Sequence, residues 1–111
     1  MNRIKFSDAI KETDIQHDML DYLAYRGIEA WRNNTGAIYR RGRLIRFGEK
    51  GSGDIIGVLK DGRHIEVEVK TPEGELSDDQ KRHAHRVQRN GGVYIVATCV
   101  EELHRKLKEI V

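Results

Sequence analysis

From Ile65 to Lys70 the chain reads Ile-Glu-Val-Glu-Val-Lys, apolar and charged side chains in strict alternation. A period of two sends alternate side chains to opposite faces of a strand, whereas a helix would scatter the same residues around its circumference. Ile65, Val67 and Val69 therefore face a core. Glu66, Glu68 and Lys70 share the other face, with about 6.6 Å between successive residues on it. Pro72 and Gly74 end the strand. The preceding Asp61-Gly62 is a hairpin signal, which makes Ile55 to Lys60 the antiparallel partner. Taken alone, a Glu-Glu-Lys face reads as solvated surface, because these side chains tolerate exposure.

The rest of the chain alternates helical and strand-like segments. Thr13-Asp14-Ile15-Gln16 has the capping-box pattern and opens a helix in which Ile15, Met19, Tyr22 and Leu23 recur at helical spacing up to Gly27. Ile28 to Arg32 reads as a weak strand. Ala37-Ile38-Tyr39 and Leu44-Ile45-Arg46-Phe47 are two short β-prone pieces around Gly42. After the hairpin, Ser77-Asp78-Asp79-Gln80 is a second capping box, opening a helix that runs to Asn90 before Gly91-Gly92. Val93 to Ala97 is apolar enough for a strand buried on both faces. Val100, Leu103, Leu107 and Ile110 mark a closing amphipathic helix. The order predicts an α/β domain with one central mixed sheet flanked by helices. At 111 residues the chain has the size of one domain, with a core over about 12–110.

No apolar run approaches the length of a membrane span. The first six residues lack the apolar stretch of a secretory signal. The single cysteine, Cys99, can form neither an internal disulfide nor a cysteine-based zinc site. A cytoplasmic setting is expected. The net charge is only +2, yet it is unevenly spread. Arg32, Arg40, Arg41, Arg43, Arg46 and Lys50 are accompanied by one acid, Glu49. Lys81, Arg82, Arg86 and Arg89 have none between them. Acids concentrate between Asp54 and Asp79. Basic tracts around an acidic centre suit a phosphodiester enzyme, in which cations hold phosphates and carboxylates hold a metal. Small charged domains are also often uneven without binding nucleic acid.

Asp54 follows directly on the glycine-rich loop Glu49-Lys50-Gly51-Ser52-Gly53 and begins the strand before the hairpin. Its relation to Glu68 depends on the turn. A two-residue Asp61-Gly62 turn pairs Asp54 with Val69 and puts it on the wrong face. A three-residue Lys60-Asp61-Gly62 loop pairs Asp54 with Glu68 directly, since a one-residue slip exchanges the faces. In the second register two carboxylates and the Val69 carbonyl offer the hard oxygen ligands that Mg²⁺ prefers. Lys70 beside them can orient a water or stabilise developing charge.

Asp54, a 13-residue gap and Glu68-Val69-Lys70 together resemble the D…ExK signature of PD-(D/E)XK nucleases. With Glu12 to Gln16, Arg32 to Gly36, Gly48 to Gly57 and Leu76 to Gln80, the chain resembles the VRR-NUC family of virus-type replication-repair nucleases over roughly Glu12 to Ile110. The resemblance implies a restriction-endonuclease-like fold and Mg²⁺- or Mn²⁺-dependent cleavage of branched or flapped DNA. Stand-alone members of this size resemble phage proteins that act as homodimers on four-way junctions. It implies that Asp54 and Glu68 are metal ligands and Lys70 is catalytic, with Glu12 a further acid near the metal and Gln80 supporting the site beside Lys70. Gly53 stands where the wider superfamily has proline.

Other readings compete. Glu12, Gln16 and Gln80 also suit helix capping, and Glu66 suits the surface. His83 and His85 lack metal-ligand spacing on a helix and read as solvated, Trp31 as core. Arg32, Asn33 and Asn34 can touch phosphate or form an ordinary turn. The expected DNA-contacting residues are Arg32, Arg40, Arg41, Arg43, Arg46, Lys50 and Lys81. A non-catalytic DNA-binding module on the same fold is the alternative, and a flap or restriction-type nuclease a further one.

Overall fold

The computed structural model describes residues 12–111. The elements follow the expected order. They are α1 (Glu12–Tyr25), β1 (Glu29–Arg32), β2 (Gly36–Arg40), β3 (Arg43–Phe47), β4 (Ile55–Val58), β5 (His64–Val69), α2 (Asp78–Arg89), β6 (Val93–Ala97) and α3 (Val100–Lys108). α1 is already helical at Glu12, so Thr13 lies within the helix rather than at its N-cap. The second capping box is formed as expected. The Ser77 hydroxyl accepts from the Gln80 N–H and the Gln80 Oε1 accepts from the Ser77 N–H.

Four strands make one sheet in the order β1-β4-β5-β6. β5 and β6 are parallel and the other neighbours antiparallel, so the sheet is mixed. Parallel pairing needs a crossover, and α2 supplies it. The core gathers Ile65, Val67 and Val69 of β5 with Val93, Ile95 and Ala97, their register partners on β6. Met19 and Leu23 of α1 and Leu103 and Leu107 of α3 close over this face, all four without solvent exposure.

The opposite face is also covered where α2 crosses β5 and β6, and this overturns the surface reading of Glu66, which is 2% exposed. His83, expected in solvent, is buried against it, while His85 is exposed. Trp31 departs in the other direction and is 51% exposed. It pairs with Ile56 and shares the face of Glu66, but β1 is the edge strand, two positions from β5, and α2 packs over the far side of the sheet.

The β4–β5 connection decides the register. Leu59 N–H donates to the Arg63 carbonyl and Gly62 N–H to the Leu59 carbonyl, each at 2.9 Å, enclosing the three-residue loop Lys60-Asp61-Gly62. Gly62 takes φ +93°, a left-handed conformation open to glycine at little cost. Ile55 then pairs with Val67, and one step further along the register stands Asp54 opposite Glu68.

β2 and β3 form a separate two-stranded ribbon whose residues are exposed throughout. Its turn, Arg41-Gly42, has both residues at positive φ (52° and 74°), which suits the right-handed twist of a tight hairpin. No helix among the described residues is long and apolar enough to cross a membrane.

Candidate active site

The site lies where β4 begins and β5 ends. Asp54 Oδ2 accepts from the Val69 N–H at 2.8 Å, which ties the aspartate to the last residue of β5. A strand residue directs its N–H and C=O to the same neighbour. The Val69 carbonyl is therefore on the Asp54 side. Glu68 Oε2 accepts from Gln80 Nε2 at 2.9 Å and lies 3.4 Å from Lys70 Nζ. Gln80 thus caps α2 with one end of its amide and holds Glu68 with the other. Glu12, at the start of α1, is exposed and acts on Glu68 through its charge. It also lines a recess of about 220 Å³ with Lys70, Val69, Pro72 and Thr98.

Glu66 and Glu68 share a strand face and are driven in opposite directions. Burial and the Asp54 charge raise the Glu68 carboxyl from 4.5 to about 7, against the pull of Lys70. Burial also works against ionised Glu66. Hydrogen bonds from the Gly53 N–H, His64 and His83 outweigh it and hold that carboxyl below its ordinary value. Glu66 is a satisfied structural anion, and Glu68 is an anion short of positive charge.

A divalent cation fits this donor set. Asp54 Oδ1 and Glu68 Oε1 make no hydrogen bond to the described residues, while their partner oxygens are fixed. No cluster of three or more His, Cys, Asp or Glu side chains arranged for a metal occurs among the described residues. Mg²⁺ needs only one or two carboxylates because it retains several waters. The Tyr94 hydroxyl is buried without a partner among the described residues, and Glu68, Glu66 and Asp54 all act on it electrostatically. Burial first, then those carboxylates, push its pKa upward.

The expected phosphate contacts divide into two groups. Lys50 is paired with Asp79 at 3.3 Å. Arg32, Arg40, Arg41, Arg43, Arg46 and Lys81 have no ion pair among the described residues. Asn33 turns inward. Its Nδ2 donates to Ser52 Oγ at 2.7 Å and to the Gly53 carbonyl at 2.9 Å. Sequence patterning gave Glu66 and His83 to the surface and Asn33 to a phosphate contact or a turn, and did not single out Tyr94. The one available signal was a glutamate on the same strand face as Glu68.

The VRR-NUC domain model matches residues 10–101, and the chain belongs to that family. Its mixed sheet flanked by helices agrees with the PD-(D/E)XK-like fold of the family. Membership makes this a nuclease-type domain that processes DNA. No curated protein and no solved structure matched the chain.

Proposed function

We propose that this chain is an Mg²⁺- or Mn²⁺-dependent endodeoxyribonuclease acting on branched DNA such as four-way junctions, and that it works as a homodimer. The observation that carries the reading is the placement of Asp54 opposite Glu68, with Lys70 Nζ 3.4 Å from the Glu68 carboxylate. Asp54, Glu68 and the Val69 carbonyl would hold the metal. The chemistry a cation held there would supply is activation of water as a nucleophile and withdrawal of charge from the scissile phosphate. Lys70 orients the attacking water or balances the charge that develops on the phosphoryl oxygens. Gln80 keeps Glu68 in the rotamer that faces the site. Hydrolysis adds water across one P–O bond and leaves a phosphate on one fragment and a hydroxyl on the other.

The unpaired arginines of the ribbon supply the DNA-binding charge. A two-stranded ribbon also matches the width of a duplex major groove. Symmetric cutting of a junction requires two active sites related by a twofold axis, which is the basis for the homodimer.

A cleavage panel tests the proposal: duplex, flap, fork and four-way junction, each with Mg²⁺, Mn²⁺ or EDTA. Junction cleavage that needs the metal and disappears in Asp54→Asn and Lys70→Ala is expected. Cleavage of every substrate by both variants at the wild-type rate would refute it. Binding of DNA without metal-dependent cutting on any substrate would favour a non-catalytic DNA-binding module.

A further inference from the structure

Asp54 is delivered by the glycine loop, and the residue just before it is held at both of its peptide groups. The Gly53 N–H donates to Glu66 Oε1 at 2.7 Å, and the Gly53 carbonyl accepts from Asn33 Nδ2 at 2.9 Å. Asn33 also donates its backbone N–H to the Asp54 carbonyl at 2.8 Å. Gly53 lies directly on β5, where an added Cβ would stand 3.0 Å from the Val67 carbonyl. Glu66 is itself fixed. His83 Nε2 lies 2.9 and 2.8 Å from its two oxygens, and His64 Nε2 lies 2.6 Å from Oε2. Arg86 links His83 Nδ1, at 3.3 Å, to Glu49 Oε1, at 2.8 Å, and so reaches the other end of the same loop. The path Gly53–Glu66–His83–Arg86–Glu49 closes a ring through the loop that presents Asp54.

We infer that Asn33 and Glu66 are positioning residues which clamp Gly53 from its two sides and thereby set Asp54 against Glu68, with His83 holding Glu66 in place. The inference rests on the reading of Asp54 and Glu68 as the metal-holding pair. An unclamped Gly53 has access to both signs of φ, and rotation there swings the Asp54 carboxylate away from Val69. The loss should therefore appear in metal affinity and turnover rather than in DNA affinity.

The test is Mn²⁺ binding to the full chain without DNA, by calorimetry, for wild type, Asn33→Ala, Glu66→Gln, His83→Ala and Asp54→Asn, with amide exchange at Gly53 and steady-state cleavage alongside. Asn33→Ala, a half-buried site, keeps the test usable if a change at buried Glu66 prevents folding. The expected result for Asn33→Ala is Mn²⁺ affinity weakened about tenfold, equivalent to about 1.4 kcal/mol. Gly53 exchange should quicken, kcat should fall with KM for DNA unchanged, and excess Mn²⁺ should recover the rate. A lower melting temperature with wild-type Mn²⁺ affinity and wild-type Gly53 exchange would overturn the inference and leave Asn33 a purely structural residue. Mn²⁺ bound equally well by Asp54→Asn would instead bring down the metal-site reading and, with it, this inference.

Discussion

Gln80 donates from Nε2 to Glu68 Oε2 at 2.9 Å while its Oε1 accepts from the Ser77 N–H that begins α2. The capping and active-site readings of this residue are therefore compatible, because the two ends of one amide serve them separately. Two substitutions separate the roles. Gln80→Ala removes both bonds and should cost about 1 kcal/mol of stability as a lost cap. Gln80→Glu keeps the acceptor for Ser77 but turns a second carboxylate toward Glu68. In EDTA, Gln80→Glu should be less stable at pH 8 than at pH 5 by a wider margin than Gln80→Ala. Thermal melts at the two pH values measure this, and equal margins would contradict the Gln80–Glu68 bond.

The raised Glu68 pKa has a definite sign for stability. Its folded value, about 7, lies above the ordinary 4.5. Between these values the folded state holds a proton that the unfolded state has released, so stability is full below pH 4.5 and is lost as pH rises through about 7. The magnitude is on the order of 3 kcal/mol. Denaturant unfolding in EDTA should show this decline in wild type and not in Glu68→Gln. Saturating Mg²⁺ or Mn²⁺ should flatten it, because a bound cation favours the ionised carboxylate, and metal affinity should rise with pH over the same range.

Tyr94 offers a stabilising change. Its hydroxyl is buried without a partner among the described residues. Tyr94→Phe removes that uncompensated polar group and leaves the ring edge-on to His83, with centroids 6.3 Å apart. A gain of about 1 kcal/mol is expected in metal-free protein. A loss of similar size in the same melts would mean that the hydroxyl has a hydrogen-bonding partner in solution.

The ribbon tip opposes two like charges, since Arg40 and Arg43 are direct cross-strand partners. Such a pair destabilises an isolated hairpin by a few tenths of a kcal/mol, and phosphate oxygens relieve it. Replacing both with threonine should leave the melting temperature unchanged or slightly higher. DNA affinity should fall, and the slope of log K against log salt should drop by about one for each lost phosphate contact. Titrations at several salt concentrations decide this. An unchanged slope would remove the tip from the DNA interface.

Much of this architecture was legible in residue order. The alternation of Ile65, Val67 and Val69 specified β5 and its buried face, since a period of two suits only a strand. Ser77 and Gln80 marked the start of α2, because a capping box is a local hydrogen-bond pattern. Asp61-Gly62 marked the hairpin but left two registers open. Gly62 at positive φ and the Leu59–Arg63 bond selected the one that stands Asp54 opposite Glu68.

What sequence alone determined is the set of elements, because periodicity, caps and turn residues act over a few neighbours along the chain; Asp54, Glu68 and Lys70 were candidates there only through one of two open registers and the family resemblance. Only the tertiary structure decided which polar faces are covered. Glu66 and Trp31 share a face of one sheet, yet α2 buries Glu66 over β5 and leaves Trp31 exposed on the β1 edge. Helix position over a sheet is a long-range property, and so are the contacts around the site. Burial and the neighbouring Asp54 charge lift the Glu68 carboxyl to about 7, α2 brings His83 to Glu66 and Gln80 to Glu68, and the loop after β1 brings Asn33 to Gly53.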